Sequence, residues 1–218
     1  AVLYEDDDLV VLNKPSGLAV HGGSGLSWGL VDAMRQLRPG EYIELVHRLD
    51  RETSGCLVLA RNGPALKHLS QLFRLGQADK RYLCLLDGRM SETRIEVDAP
   101  LARFEAGQRR LVRVAPDGKP ARTVFHALQI FSTVTYAEAE LFTGRTHQIR
   151  VHAAHLGMPL AGDDKYSSRE SLKRWKRLGL KQVFLHAHRL SFEGPSGVAL
   201  AFDAPLPAAL KAVLDKLE

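Results

Sequence analysis

The amino-acid sequence predicts an α+β fold built around a large mixed or antiparallel β-sheet. Segments with the period-two alternation of strands outnumber segments with helical periodicity, and they follow one another directly between residues 80 and 142. The regular alternation of strand and helix that marks a doubly wound sheet is absent. The 218 residues are enough to bury a proper core.

The first third of the chain is predicted to contain three strands and two helices. The strands are expected at residues 1–4, 9–13 and 56–60. The segment 27–38 has apolar residues at helical spacing and stops at Pro39, and a second helix runs from Pro64 to Gly76. The glycine-rich HGGSG (21–25) is predicted to be a loop.

The rest of the chain is predicted to be richer in strands. Strands are expected near residues 80–87, 94–98, 109–114, 121–131, 134–142, 185–192 and 198–203. Helices are expected at 146–156, at 167–178 and from Pro207 onwards. PDGK (116–119) is typical of a hairpin turn, and Ser167 and Glu170 have capping-box spacing.

The positive charge of the chain is concentrated in one segment. The net charge is +5, with an isoelectric point near 9.3. Between Lys165 and Lys181 there are seven basic residues and one acid, a local excess of six. The basic residues are Lys165, Arg169, Lys173, Arg174, Lys176, Arg177 and Lys181. A basic run is often only a solvated helix face, but this concentration favours contact with a phosphate backbone.

The cysteines and the N-terminus indicate the compartment. Cys56 and Cys84 lie in apolar strand-like runs without a disulfide pattern, so we expect buried thiols and a reducing cytoplasm. The sequence contains no run of about eighteen apolar residues, so we expect no membrane span. The N-terminus does not resemble a signal peptide. The chain lacks an initiator Met and begins directly on a strand-like run, so we expect a fragment of a longer protein.

The segment HRLDRETSG (47–55) contains a candidate catalytic carboxylate, Asp50. It follows an apolar pair and precedes an apolar strand, so the loop is expected to be anchored at both ends. Arg48, Arg51 and the hydroxyl groups that follow them favour the ionised carboxylate. Covalent catalysis at a sugar carbon requires such an oriented anion. An isolated loop Asp more often only caps a turn or pairs with an Arg.

A second candidate group lies in FTGRTHQIRVHAAHLG (142–157), where Arg145 precedes a helix. Arginine is suited to clamp a carboxylate or a phosphate by paired hydrogen bonds. His147, His152 and His155 raise the alternative of a metal site. Their spacing is weak, and the glutamate of an HExxH arrangement is missing, so helix capping and hydrogen bonding explain them better.

A third candidate is Tyr82 in KRYLCLLDG (80–88), where alternation places Tyr82, Cys84 and Leu86 on one strand face. A strand tyrosine is most often part of the core. Its ring could also stack on a base turned out of an RNA, as in readers of single-stranded RNA.

Five segments together resemble the RluA-type pseudouridine synthases, which isomerise uridine in RNA. They occur in the order of that family and cover essentially the whole chain. They are LNKPSGLAVH (12–21), HRLDRETSG (47–55), KRYLCLLDG (80–88), FTGRTHQIRVH (142–152) and FLHAHRLSF (184–192). The GGSG loop and the HRLDRETSG segment are most similar in sequence to bacterial enzymes of the C type, which act on large-subunit (23S) ribosomal RNA.

The resemblance implies a role for each candidate residue. Asp50 corresponds to the essential catalytic Asp, Tyr82 to the tyrosine that packs on the target base, and Arg145 to the basic residue that ion-pairs with the Asp. Arg48 corresponds to an Arg that helps to displace the base, and Leu185 to an apolar pocket wall. We expect Asp50 and Arg145 to form a partly buried pair.

The resemblance also implies the architecture. Members have a mixed sheet in two halves with the active-site cleft between them, and many have an S4-like RNA-binding domain upstream. We expect residues 1–218 to be a single catalytic domain without that upstream domain. The expected partner is 23S rRNA, bound by a monomer, with Lys173, Arg174, Lys176 and Arg177 contacting the phosphates.

The reaction breaks the N1–C1′ bond of uridine, turns the uracil and forms a C5–C1′ bond. Substrate and product are isomers, so no cofactor is expected. Three roles for Asp50 stay open: attack on C1′, attack on the base, or removal of a sugar proton. Tyr82 is a candidate relay for the proton that leaves C5. Two other functions stay open, a metal-dependent RNA phosphoesterase built on the histidines and a non-catalytic RNA-binding module.

Overall fold

The structure, a computed structural model, describes residues 1–22, 28–107 and 109–217, with only the backbone of 109 and 110. It confirms the α+β class, with a large, mostly antiparallel sheet flanked by helices. The chain forms two compact units. The first contains residues 1–80 and 187–205, and the second contains residues 81–186 and 206–218. The cleft expected between two halves stays a prediction.

The first unit contains six strands and two helices among its described residues. The strands are β1 (Val2–Glu5), β2 (Leu9–Lys14), β3 (Glu44–Leu45), β4 (Ser54–Ala60), β11 (Leu185–Glu193, from residue 187) and β12 (Ala199–Asp203). The helices are α1 (Leu30–Leu37) and α2 (Gly63–Arg74). The strand order is β1-β2-β4-β11, with β3 on β4 and β12 on β11.

Strand β4 is the centre of this unit, because all seven of its residues are buried. It pairs antiparallel with β2, so that Val58 lies opposite Val11 and Gly55 opposite Lys14. A short apolar run buried on both faces is typical of a central strand. Helix α2 packs Leu69 against the same core. The segment after β2 and the segment before β4 are thereby held side by side.

The second unit contains six strands and three helices among its described residues. The strands are β5 (Asp79–Leu86, from residue 81), β6 (Arg94–Asp98), β7 (Leu101–Ala106), β8 (Arg109–Val114), β9 (Arg122–Ile130) and β10 (Thr135–Leu141). The helices are α3 (Gln148–His155), α4 (Arg169–Arg177) and α5 (Ala208–Leu214). The strand order is β5-β10-β9-β6, and β7 and β8 form a separate two-stranded hairpin.

Helices α4 and α5 share one core with the sheet of the second unit. Trp175 of α4 is 1% exposed and packs with Leu85 of β5, Phe184, and Leu210 and Val213 of α5. Helix α3 is buried along almost its whole length, including the polar residues that it carries. Those polar groups need internal partners, which the structure provides.

Two helix starts differ from the prediction. The first helix was predicted from residue 27, which lies outside the described residues, as do residues 23–25 of the predicted glycine-rich loop. The helix begins at Leu30. Asp32 accepts a hydrogen bond from the backbone of Gly29 at 2.8 Å and thereby fixes that start. The N-cap of α4 is Ser168, whose hydroxyl accepts from the Ser171 amide at 3.1 Å. Ser167 instead donates to the Leu160 carbonyl.

Strand β7 was not predicted, and the role of PDGK was predicted wrongly. In the β7–β8 hairpin most described side chains of β7 are not buried, so the sequence lacks the apolar alternation that would mark a strand. PDGK does form a turn, with the Gly118 amide donating to the Ala115 carbonyl at 2.9 Å. It connects β8 to β9, which pair with other strands and not with each other.

Both cysteines are buried free thiols, as predicted. Burial raises the pKa of Cys56 to about 11, assisted by the negative charge of Asp203. Burial also raises the pKa of Cys84 far above its ordinary value, assisted by Glu138. Within the described residues, none of the helices has the length and the apolar composition needed to cross a bilayer.

Gly55 tests the close packing of β4. Its φ is +113°, and a Cβ atom there would collide with the Ala187 carbonyl group. We expect Gly55→Ala to lower the free energy of unfolding by about 3 kcal/mol, from strain and collision together. Gly63→Ala is the control, since a Cβ there meets nothing within 4 Å. Urea denaturation of both variants measures the difference, and equal stabilities would contradict the packing described.

Candidate active site

Asp50 opens a tight turn in front of β4. The Thr53 amide donates to the Asp50 carbonyl oxygen at 3.0 Å, which closes the turn. Thr53 and Ser54 are almost completely buried, whereas Asp50 is half-buried. The backbone of the turn is therefore anchored in the core while its first side chain reaches partly to solvent. This matches the prediction of a loop held at both ends.

Lys14, at the end of β2, holds a second loop onto this turn. Its side chain is fully buried, and Nζ donates to the carbonyl oxygens of Pro15 at 2.9 Å, Leu18 at 2.8 Å and Arg51 at 3.0 Å. Two of these acceptors lie in the loop 15–18 and the third lies in the Asp50 turn. One ammonium group thus satisfies three carbonyl groups and fixes two irregular segments together.

Further hydrogen bonds connect the same two segments. The Gly17 amide donates to the Arg51 carbonyl at 2.9 Å, and Arg51 Nε donates to the Gly17 carbonyl at 3.0 Å. The Ser16 hydroxyl donates to the Glu52 carbonyl at 2.7 Å. Arg51, which we predicted to support the Asp50 carboxylate, therefore binds Gly17 and lies near Glu52 at 3.6 Å.

Burial changes the acid–base behaviour of Lys14. Desolvation lowers the pKa of Lys14 to about 8, opposed by the negative charges of Glu52 and Asp50. The ammonium form is still favoured at neutral pH, so its charge attracts both carboxylates. Lys14 is thus a cation that the sequence analysis did not assign to this site.

His47 anchors the other end of the HRLDRETSG segment. Its Nε2 accepts a hydrogen bond from the Val58 amide of β4 at 3.1 Å, and its ring stacks on Phe73 with centroids 4.5 Å apart. Burial and the nearby charge of Lys80 lower the pKa of His47 to about 3. His47 is therefore neutral at physiological pH and serves as a backbone acceptor, while Arg48 beside it is exposed.

Tyr82 and Leu185 belong to the second unit and are both buried. Tyr82 lies in β5 opposite Ala139 of β10 and is 9% exposed. Leu185, the first residue of β11, is 4% exposed. The roles of both residues stay predictions.

Arg145 lies in the turn between β10 and α3. The Gln148 side chain shapes this turn, because its Oε1 accepts from the Arg145 amide at 3.0 Å and from the Thr143 hydroxyl at 2.7 Å. Arg145 Nε donates to the Pro120 carbonyl at 3.0 Å. The side chain is exposed, whereas we predicted a partly buried group. The ion pair with Asp50 stays a prediction.

Two of the three histidines on which the metal alternative rested, His147 and His152, have other partners. His152 is fully buried, with Nδ1 at 2.8 Å from the Thr123 hydroxyl and Nε2 at 2.9 Å from the Ala99 carbonyl. His147 Nδ1 lies 2.7 Å from the Tyr166 hydroxyl. In the described part of the chain, no three His, Cys, Asp or Glu side chains gather as metal ligands would.

Helix α4 presents most of the predicted basic residues to solvent. Lys173, Lys176 and Arg177 are exposed. Arg174 is also partly exposed, but its guanidinium pairs with the nearly buried Asp87. Asp87 also accepts from the Ser171 hydroxyl and from Trp175 Nε1, so it holds the helix against the unit. Arg174 therefore has a structural partner that the sequence analysis missed.

The chain is similar in sequence and fold to known enzymes. Residues 8–155 match the family described as RNA pseudouridylate synthase. The chain is 45% identical to ribosomal large subunit pseudouridine synthase C of Haemophilus influenzae, over 99% of this chain and 68% of that protein. The same enzyme of Escherichia coli is 44% identical, with 99% and 69% covered. The solved structure of human RNA pseudouridylate synthase domain containing 4 has a TM-score of 0.80 at 29% identity, covering 100% of this chain and 94% of that one.

The fold and these similarities define the class as RNA pseudouridine synthases, which are isomerases. Within that class, the chain belongs to the RluA-type family and resembles the C-type enzymes over nearly its full length. It spans about two thirds of the length of these relatives.

Lys14 can be tested through the pH dependence of stability. Its pKa is near 8 in the folded protein and near 10.5 when solvated, so between these values the unfolded chain binds more protons. Stability must then rise with pH across this window on account of Lys14. We expect the difference in unfolding free energy, wild type minus Lys14→Met, to increase from pH 8 to pH 10.5.

Urea denaturation at closely spaced pH values measures this difference. Lys67→Met, at an exposed position of α2, is the control and should follow the wild-type profile. A difference for Lys14→Met that stays constant or falls with pH would show that the ammonium is not desolvated as described.

Proposed function

We propose that this protein converts uridine to pseudouridine in large-subunit (23S) ribosomal RNA, with Asp50 as the essential carboxylate. The observation that carries the proposal is the Asp50 turn. Its backbone is clamped by the buried Lys14 ammonium, while the carboxylate itself is half-buried. The large-subunit substrate is supported by the 44–45% identity to relatives named for that RNA.

The arrangement suits chemistry at an anomeric carbon. A carboxylate can assist the cleavage of a bond at C1′, as it does in glycosidases. The Asp50 backbone is held by hydrogen bonds that need no substrate, so the turn that carries the carboxylate is formed before binding. Such preorganisation lowers the cost of reaching the transition state. Detached uracil then turns and bonds to C1′ through C5, and the C5 proton leaves.

The other residues are proposed to act on the same nucleotide. Tyr82 packs on the uracil and relays the C5 proton, and Arg145 pairs with the catalytic carboxylate. Arg48 helps to displace the base from the RNA, and Leu185 forms part of the apolar wall. Arg48 and Arg145 are exposed and available for such contacts, whereas Tyr82 and Leu185 keep only 9% and 4% of their surface exposed.

Helix α4 is proposed to contact the RNA backbone. Lys173, Lys176 and Arg177 are exposed, so they can approach phosphates without first losing a buried partner. We further propose that the protein acts as a monomer in the cytoplasm and needs no cofactor. The isomerisation is balanced without a redox carrier or a group donor.

The central test replaces Asp50. Formation of the C5–C1′ bond expels the hydrogen on C5, so tritium is released from RNA labelled with [5-³H]uridine. We expect Asp50→Asn to reduce this release at least about 1,000-fold, the scale of losing a nucleophile or general base. Glu52→Gln removes one negative charge from the same turn and should change the rate by less than about fivefold.

The substrates are in vitro transcripts of large-subunit rRNA, small-subunit rRNA and transfer RNA. Release from the large-subunit transcript alone is expected. Retained activity in Asp50→Asn would overturn the catalytic role of Asp50. Wild-type protein that binds the large-subunit transcript without releasing tritium would instead favour an RNA-binding module.

A second test addresses α4. Each phosphate contact contributes about 0.7–0.9 to the slope of log K against log salt. Neutralising three contacts by the triple change of Lys173, Lys176 and Arg177 to Gln should therefore reduce the slope by about 2–3. The matched control changes Lys67, Arg74 and Lys211, which are also exposed, to Gln. Filter binding measures the slopes. Equal slopes for both triple variants would rule out the exposed face of α4 as a site of phosphate contact.

A further inference from the structure

Tyr166 connects two elements that face a common cavity in the second unit. The cavity has a volume of about 470 Å³. One side is formed by Arg103 and Val112 of the β7–β8 hairpin, and the other by the turn with Gly144, Arg145 and Thr146. Tyr166 follows in the segment before α4 and was not selected by the sequence analysis.

The Tyr166 hydroxyl contacts both elements. The Val112 amide donates to it at 3.1 Å, and His147 Nδ1 lies 2.7 Å away. Because the hydroxyl accepts from Val112, its own hydrogen can be donated to Nδ1 of His147. One oxygen atom thus links the hairpin to the residue that follows the Arg145 turn.

Other contacts support this link without replacing it. Arg103 Nη2 donates to the Thr146 hydroxyl at 3.2 Å, at an exposed position. The hairpin rests on α3 through a small apolar cluster. Its members are Leu101, Val112, Ala121 and Val151, with Val114 and Tyr166 at the edge. So small a cluster leaves the orientation of a two-stranded hairpin to polar contacts.

The Tyr166 ring is itself held in place by a buried ion pair. Arg150 and Asp163 are 2% and 0% exposed and form two hydrogen bonds, of 2.7 and 2.6 Å. Asp163 also accepts from the Tyr166 amide at 3.2 Å, and the Arg150 guanidinium lies over the Tyr166 ring at 5.4 Å. The hydroxyl therefore occupies a defined position.

His147 transmits this position to Arg145. His147 has a left-handed backbone, with φ of +56°, which is rare for a residue other than glycine. It is the N-cap residue of α3, two residues after Arg145. Its ring contact with Tyr166 helps to maintain a conformation that costs free energy. A change in that conformation would move the backbone that carries Arg145.

We propose that Tyr166 is a positioning residue for the pseudouridine synthase reaction, acting through its hydroxyl on the Arg145 turn and on the β7–β8 hairpin. The inference rests on the proposed function. Tyr166 contacts no reacting atom in this scheme. Its hydroxyl holds Arg145 ready to pair with the catalytic carboxylate, so its removal lowers kcat more than it raises KM.

The test compares Tyr166→Phe with Tyr136→Phe, in another half-buried tyrosine of the same unit whose ring packs against Phe184. Removal of the Tyr166 hydroxyl should lower kcat for tritium release about tenfold, with KM changed by less than about threefold. In an Arg145→Ala background, removal of the Tyr166 hydroxyl should not lower kcat any further, because both changes act through the Arg145 side chain. Tyr136→Phe should behave like wild type in both backgrounds.

Amide hydrogen exchange gives a readout that does not depend on activity. Exchange at Val112 should be about tenfold faster in Tyr166→Phe and unchanged in Tyr136→Phe. The proposal is overturned if kcat is unchanged, if the effect is fully retained in Arg145→Ala, or if Val112 exchange does not respond. A wild-type protein inactive on every RNA would count against the proposed function, and Val112 exchange would then decide whether Tyr166 positions the hairpin.

Discussion

The buried ammonium of Lys14 is the interaction on which the candidate site around Asp50 in the first unit depends. The loop after β2 and the turn before β4 have no regular hydrogen bonding of their own, so their carbonyl groups need partners inside the protein. One cation with three donors satisfies carbonyls from both segments. A neutral side chain of similar length could fill the space but could not satisfy three acceptors. The backbone of Asp50 is therefore set by a charge that is desolvated.

In the second unit, too, buried charged groups hold an irregular segment in place. Arg150 and Asp163 are buried together, and the carboxylate also organises the backbone that leads to Tyr166. A buried ion pair is weak evidence for stability, because desolvation offsets much of the attraction. The Arg150–Asp163 pair instead fixes geometry, because it gives the Tyr166 hydroxyl one defined position beside the β7–β8 hairpin, which has few apolar contacts.

Most of the sheet could be predicted from the sequence, because strands depend on local patterns, whereas the roles of the candidate site residues stay predictions. The apolar run of β4 and the alternation of β5 are visible in the chain itself, and Asp50, Tyr82 and Arg145 lie in motifs of recognisable order. Strand β7 was missed because few of its side chains are buried. Lys14, and the pairing of Arg174 with Asp87, were missed because carbonyl acceptors and a partner 87 residues away leave no local signal. The exposure of Arg145 likewise depends on tertiary structure.

The two thiols have a practical consequence. Cys56 and Cys84 are both buried and, with raised pKa values, remain protonated at neutral pH, where alkylating reagents need an exposed thiolate. These 218 residues should therefore be nearly inert to maleimides without any change to their sequence. A single cysteine introduced on the exposed face of α4 would then carry a fluorophore or a photocrosslinker selectively. The path of a bound RNA across that face could be mapped on a protein whose core is untouched.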